Sequence, residues 1–302
     1  MAMTVAQFAK TVSLQLFQPA FREGQTYPIW PMEDVTTFRE SKNALEQVFS
    51  FTGLGAAKVS DTFGTVNYLD MEELGQYTWT HVTYTAGSML PQQLIEDSRY
   101  IEFAKEIGYS IGEGFNYVKY KNGTLPFDRA FDPAYPMFDG VEMCGTHVMS
   151  SGDTIVNKLS PMSLNWANAW DAALYFEQTL IDQKGLPMVG TPAGILFHTS
   201  KMREALKLNG NDLQPDIMAP GNVNSLKTRY NLKLTPNRLL ADTNAWFVYD
   251  TDFKRDNIFW TRISPKTDDQ PEFDKYGMKF RCRARWSNGP RQGIHIVGIP
   301  SS

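Results

Sequence analysis

Residues 76–118, QYTWTHVTYTAGSMLPQQLIEDSRYIEFAKEIGYSIGEGFNYV, change period in mid-course. Gln76 to Thr85 are rich in β-branched and aromatic residues, which fit a pleated, half-buried surface. Beyond Pro91, Ile101, Ala104, Gly108, Ile111, Phe115 and Val118 recur at alternating spacings of three and four, one apolar stripe of a helix. Proline is favoured in a first helical turn, so the stretch predicts a strand feeding a long helix over 91–118. Gly108, Gly112 and Gly114 would weaken that helix by up to about 1 kcal/mol each relative to Ala. Close backbone packing would justify them; fraying toward a turn at Asn122-Gly123 is the alternative.

Upstream, Gly64 to Asp70 form a second β-rich run, separated from the first by Met71-Glu-Glu-Leu-Gly75. The pattern predicts a long β-hairpin over 57–86. An isolated two-stranded ribbon is marginal in water, so it must lie on its own body or on another chain. Val5, Phe8, Ala9, Val12 and Leu16 line one face of a short helix over 4–17, and Phe38, Ser41, Leu45 and Val48 suggest another over 37–50. A Pro-rich loop joins them. Two such helices are too short to enclose a core and read as an arm docking elsewhere.

Downstream, residues 123–160 are rich in Pro and Gly and read as loops. Trp166, Trp170, Ala173, Leu174, Leu180 and Ile181 share a face of a helix over 164–183, which Gly185 can end. A buried strand over 194–198 follows, then a helix over 200–208 with Ser200 as N-cap and Asn209-Gly210 as C-cap. Strand patterns return at 246–249 and 257–261. In 277–286, Met278, Phe280, Cys282, Ala284 and Trp286 alternate with Lys279, Arg281, Arg283 and Arg285: one apolar face and one cationic face.

The 302 residues are 42% hydrophobic and 21% charged, with seven Trp and a net charge of -4. These are globular values, against disorder and against a sleeve for nucleic acid. Two cysteines exclude a disulfide scaffold and fit a reducing compartment. The first seventeen residues lack a signal-peptide core, and no run approaches the roughly 20 apolar residues that span a bilayer.

Motifs of chemistry are sparse. Cys144 and His147 form a lone C-x-x-H without a second pair, so no metal site is expected, and His198 reads as a packed residue. Gly53-Leu-Gly55-Ala-Ala-Lys58 lacks the third glycine and the preceding strand of a dinucleotide fingerprint. P-loop, nucleophile-elbow and H-E-x-x-H patterns are absent. Glu72-Glu73 and Asp268-Asp269 read as solvated loop charge. No catalytic residue, cofactor or metal ligand is assigned. The four cations of 277–286 must be answered by acids of a partner subunit, by phosphates, or by solvent and intrachain acids, Glu96, Asp97 and Glu102 being candidates.

The order of elements (arm, extended hairpin, long helix, compact α/β unit, closing Arg-rich strand) resembles the Hong Kong 97-type major capsid fold of tailed bacteriophages. Thr80-His-Val-Thr-Tyr-Thr-Ala-Gly87 followed by Glu96-Asp-Ser-Arg-Tyr100 resembles the approach to the spine helix in the Mu-like major head subunit family. Asp139-Gly-Val-Glu-Met-Cys-Gly-Thr-His147 resembles that family's loop with a small residue before a His, Asp182-Gln-Lys-Gly-Leu-Pro187 with Thr191-Pro192 and Ile195-Leu-Phe197 its axial-domain strand, and Leu239-Leu-Ala-Asp-Thr-Asn-Ala-Trp-Phe247 its segment before the last strands. The likeness covers roughly residues 33–290. It departs at Val148, where relatives often have Pro after the His.

The resemblance implies an α+β fold with an N-terminal arm (1–50), an extended loop (51–90), a peripheral domain with a spine helix (91–149 and 251–302) and an axial domain (150–250). It implies a structural protein, not an enzyme, that assembles with itself into pentamers and hexamers of an icosahedral shell around double-stranded DNA. Portal and decoration or scaffolding proteins would be further partners, without a membrane; the site would be the virion, after assembly in the host cytoplasm. Trp79, Tyr84, Phe8 and Val12 are the expected intersubunit contacts. Lys279, Arg281, Arg283 and Arg285 are expected in ion pairs or on the inner surface. An encapsulin-like cargo shell shares this fold and is the alternative reading; a hydrolase with an unrecognised site is a remote one.

Overall fold

The computed structural model describes residues 14–60, 64, 66–91, 93, 100–209, 224–272 and 277–301. The elements are α1 (Leu14–Gly24), β1 (Thr37–Glu40), β2 (Leu45–Phe51), β3 (Glu73–Thr80), β4 (Val82–Pro91), α2 (Tyr100–Asp128), β5 (Thr146–Val148) and β6 (Thr154–Val156). There follow α3 (Trp166–Gln178), β7 (Pro192–His198), α4 (Met202–Asn209), α5 (Ser225–Arg229), β8 (Lys233–Asn237), β9 (Trp246–Asp250), α6 (Phe253–Asp256), β10 (Asn257–Glu272), β11 (Gly277–Pro290) and β12 (Ile296–Ile299).

Two four-stranded sheets organise the chain, in the orders β1-β10-β11-β4 and β12-β9-β7-β8. The alternation read at 277–286 holds: Met278, Phe280, Cys282, Ala284 and Trp286 are buried, whereas Lys279, Arg281 and Arg283 are exposed. The apolar face packs with α1 and α2, Phe280 stacking on Phe17 and Trp286 meeting Phe115 edge-on. The second sheet is buried on both faces. Leu196, Phe247 and Tyr249 join the core beneath α2, while Ile195, Phe197, Trp246 and Val248 join a second core under α3 and α4. Such two-sided burial explains why β7 and β9 read as continuous apolar runs.

The long helix lies further along the chain than its pattern suggested. Pro91 ends the edge strand β4, a position that tolerates a missing N–H, and α2 continues past Asn122-Gly123 to Asp128. Its internal Pro126 cannot donate to Asn122 four residues earlier. The amide of Asn288 on β11 supplies that bond instead, donating to the Asn122 carbonyl at 2.7 Å. Two of the glycines face α1: a Cβ on Gly108 would stand 2.8 Å from the Phe17 carbonyl oxygen, and one on Gly112 would collide with that of Phe21. Gly114 faces open space. A Gly112→Val change is expected to displace α1, costing about 1–3 kcal/mol by overpacking, whereas Gly114→Ala should be neutral or stabilising. Paired urea titrations check this.

Other expectations are corrected. Residues 37–50 form strands, not a helix: β1 runs parallel to β10 and β2 antiparallel to β3. The hairpin partner of β3 is therefore Leu45–Phe51 and not residues 64–70, of which the described ones join no strand. β4 belongs to the first sheet, along β11. The 164–183 helix is shorter, capped by the Asn165 side chain accepting from the Asn168 N–H. His198, not Ser200, caps the turn before α4. β12, expected with residues 251–302, joins the second sheet beside β9. Most of the 4–17 helix, with Phe8 and Val12, lies outside the described residues.

Candidate assembly interface

The β2–β3 ribbon leaves the body at one point and returns to it one residue before β4. Its base is seated by Trp79, only 3% exposed, which packs against Tyr77 and Trp260 and donates its indole N–H to the Gly289 carbonyl at 3.1 Å. Trp79 is thus buried in its own chain. Tyr84 is also engaged at home, stacked on Trp286 with ring centroids 4.9 Å apart. The expectation that Trp79 contacts a neighbour is thereby corrected, and Tyr84 is half-buried against its own chain; the partners Trp260, Trp286 and Gly289 lie some two hundred residues away.

Beyond the base, the ribbon and its connecting loop expose Phe49, Phe51, Leu54, Val59, Val66, Tyr68 and Met71, with Val59 97% and Tyr68 89% exposed. Scattered single apolar residues are normal on surfaces, but a concentration on one excursion marks an interaction site. Part of this loop touches its own body, where Glu72 approaches the Lys184 ammonium at 4.0 Å and Gly55 lies against the Lys184 side chain. Both charges are solvated, so this contact holds the loop weakly. These exposed residues lack the strict alternation of a strand, and the sequence reading did not single them out.

The cationic face of β11 looks away from α1 and α2. Arg281 meets Asp268 at 3.5 Å with both side chains mostly in water, and Arg285 donates to the His81 carbonyl at 3.3 Å. Glu102 is exposed on the first turn of α2, and Glu96 and Asp97 lie outside the described residues. On β4, the residues opposite Arg281, Arg283 and Arg285 are Gly87, Thr85 and Thr83, short side chains that leave the cations uncovered on that side.

Elsewhere several of the sequence's polar residues pair within the chain. His147 Nδ1 is held by the Asp139 carboxylate at 2.6 Å, and burial raises the Cys144 thiol far above its usual range. Burial likewise pushes Cys282 up to about 12. Asp250, Asp252 and His295 stand close enough together to ligate an ion. Asp250, however, already accepts from the N–H groups of Asp252 and Phe253 and pairs with His295 Nδ1 at 2.8 Å. A cleft of 340 Å³ between Tyr77, Pro126, Arg129 and Tyr135, and one of 220 Å³ between Phe115, Lys119 and Trp286, have neither histidine nor cysteine in their walls. No described helix is long and apolar enough to cross a membrane.

Two sheets, a spine helix and a detached ribbon in this order define the fold: the chain is an α+β protein with the Hong Kong 97-type capsid fold. Among solved structures it is similar to a virus-like particle from Pyrococcus furiosus, with a TM-score of 0.57 at 11% identity over 96% of this chain and 100% of the other. It is equally similar to the capsid of a native GTA particle, at 0.57 and 13% identity over 90% of each chain. The capsid of cyanophage P-SCSP1u matches at 0.56 and 9% identity, over 90% of this chain and 88% of the other. No family model and no curated protein matches the chain.

Proposed function

We propose that the chain is a major capsid protein of a tailed bacteriophage, related to the Mu-like head subunits, that builds a closed icosahedral shell of pentamers and hexamers around double-stranded DNA. The observation that carries this reading is a shell-protein fold over the whole body combined with an excursion whose apolar residues stay in water. In such a ring each ribbon lies on the next subunit, a heterologous contact that closes on itself. Each interface need reach only roughly 1,600 Å², because many contacts closed into one particle reinforce each other. The role is structural, and no residue is assigned to catalysis. Portal and scaffolding or decoration proteins complete the particle, which is assembled in the host cytoplasm and ends in the virion.

The peripheral unit then comprises α1, α2 and the first sheet, the axial unit the second sheet with α3 to α5, and residues 45–80 the extended loop. Intersubunit contact falls to Phe49, Phe51 and Tyr68 in place of Trp79 and Tyr84. Lys279, Arg281, Arg283 and Arg285 serve a neighbour's acids or the inner surface.

Electron microscopy of the purified protein tests the reading: hollow, closed particles are expected. Tyr68→Asp combined with Val66→Asp should leave the free energy of unfolding within about 0.5 kcal/mol of the parent, as surface changes do, and should abolish closed particles. Normal particles from that variant, or a parent protein that stays monomeric at every concentration and salt, would overturn it. The likeness to a virus-like particle favours a second reading, a cargo-enclosing shell. Particles that carry protein cargo and lack nucleic-acid absorbance would decide for it.

A further inference from the structure

The ribbon joins the body through two short crossings, residues 41–45 on the way out and 80–82 on the way back, and one imidazole bridges both. His81 is 4% exposed and is the single residue between β3 and β4. Its Nε2 lies 3.1 Å from Ser41 Oγ, at the outgoing crossing, and its Nδ1 lies 3.0 Å from Ser287 Oγ on β11. Around it, the Ser41 N–H donates to the Thr261 carbonyl of β10, and Arg262 and Arg285 donate to the carbonyls of Ser41 and His81.

The proton positions follow from counting donors. Ser41 has one hydroxyl hydrogen, and it goes to the Glu46 carboxylate at 2.5 Å. Its oxygen also accepts from the Asn43 N–H at 3.2 Å. The contact to His81 can therefore only be Nε2–H donating to Ser41. The neutral ring then has a bare Nδ1, which accepts from the Ser287 hydroxyl. Both nitrogens are satisfied in one tautomer, and the chain Ser287–His81–Ser41–Glu46 runs in one direction from the sheet to the ribbon.

We propose that His81 is an acid-sensitive latch: its neutral Nε2–H form clamps the ribbon base to the first sheet, and a second proton on Nδ1 releases the ribbon. Protonation sets a new N–H against the Ser287 hydroxyl hydrogen, which must turn away and lose its acceptor. It also places a positive charge beside Arg285 and Arg262, with Glu46 alone opposing. Burial, followed by Arg285, lowers the pKa of His81 below its ordinary 6.5. A histidine depressed in the latched state takes up its proton on release. The clamp is therefore fully present above the free value and weakens as pH falls below it. The latch belongs to the single chain and does not depend on the shell reading.

Hydrogen–deuterium exchange of the purified chain at pH 7.5 and pH 5.0, corrected for intrinsic rates, tests it. Residues 45–51 and 73–80 should exchange faster at the lower pH, as linkage to a histidine depressed in the latched state requires, while β7 and β9 hold. His81→Gln, which keeps a donor near the Nε2 position but cannot titrate, should remove the pH response, and Ser287→Ala should move its midpoint upward. An acid response that persists in His81→Gln, or a parent ribbon indifferent to pH, overturns the proposal. Should the variants fail to fold, nitrogen NMR of the parent's His81 ring decides. An Nε2–H tautomer titrating below the free value supports the latch; an Nδ1–H tautomer, or titration at or above that value, overturns it.

Discussion

Trp79→Ala is expected to cost about 3–5 kcal/mol of folding stability, the range for removing a buried aromatic ring. The indole fills the space between Tyr77 and Trp260, and its N–H is bound by the Gly289 carbonyl. Alanine would leave a cavity at the ribbon base and strip that carbonyl of its donor. Since whole domains are stable by only about 5–15 kcal/mol, the variant should unfold at markedly lower urea, and its ribbon amides should exchange first. Trp79→Phe separates the two contributions: it keeps most of the packing and loses the hydrogen bond, for about 1 kcal/mol. Under the proposed shell function, Trp79→Ala would fail to assemble through an unstable subunit, not through a missing contact between subunits. An unchanged urea midpoint would show that the ring is not seated there.

His295→Ala should be comparably damaging, with a distinctive dependence on pH. His295 and Asp250 are both almost fully buried and paired at 2.8 Å. Burial alone would lower the pKa of His295, but the hydrogen bond and charge of Asp250, joined by Asp256 and Asp252, raise it above its ordinary value. A raised histidine stabilises the fold when charged. That contribution is complete below the free value of about 6.5 and is lost as pH rises through the folded value. Breaking such a pair leaves Asp250 buried without its cation, at a cost of about 3–5 kcal/mol. Stability curves at pH 6 and pH 9 should show a larger deficit at pH 6. A deficit that grows toward pH 9 would contradict the assignment of charge.

How much of this was legible depended on how far apart the partners lie. The alternation of 277–286 stands in the structure as read, because a strand covered on one face writes its burial into neighbouring positions. The runs of β7 and β9 and the stripe of α2 were legible for similar local reasons. Residues 37–50 misled because Phe38, Leu45 and Val48, with the small Ser41, fall at spacings of three and four that fit a helix, while the facts that make them strands, β10 and β3, lie elsewhere in the chain. The same distance hid the pairing of β2 with β3 and the seat of Trp79. At the surfaces, the cation row was visible as a pattern. The latch at His81 was not, since Ser41, Glu46 and Ser287 carry no common spacing and converge only where three strands meet.

The parallel pairing of β1 with β10 has a consequence in time. Residues 37–40 find their partners only at 258–261, so a growing polypeptide cannot pair this strand until about 220 further residues have been synthesised. Contacts of such long separation form late and slowly. Copies that stop before β10 would keep that strand unpaired and leave the base of the ribbon without its seat on Trp260.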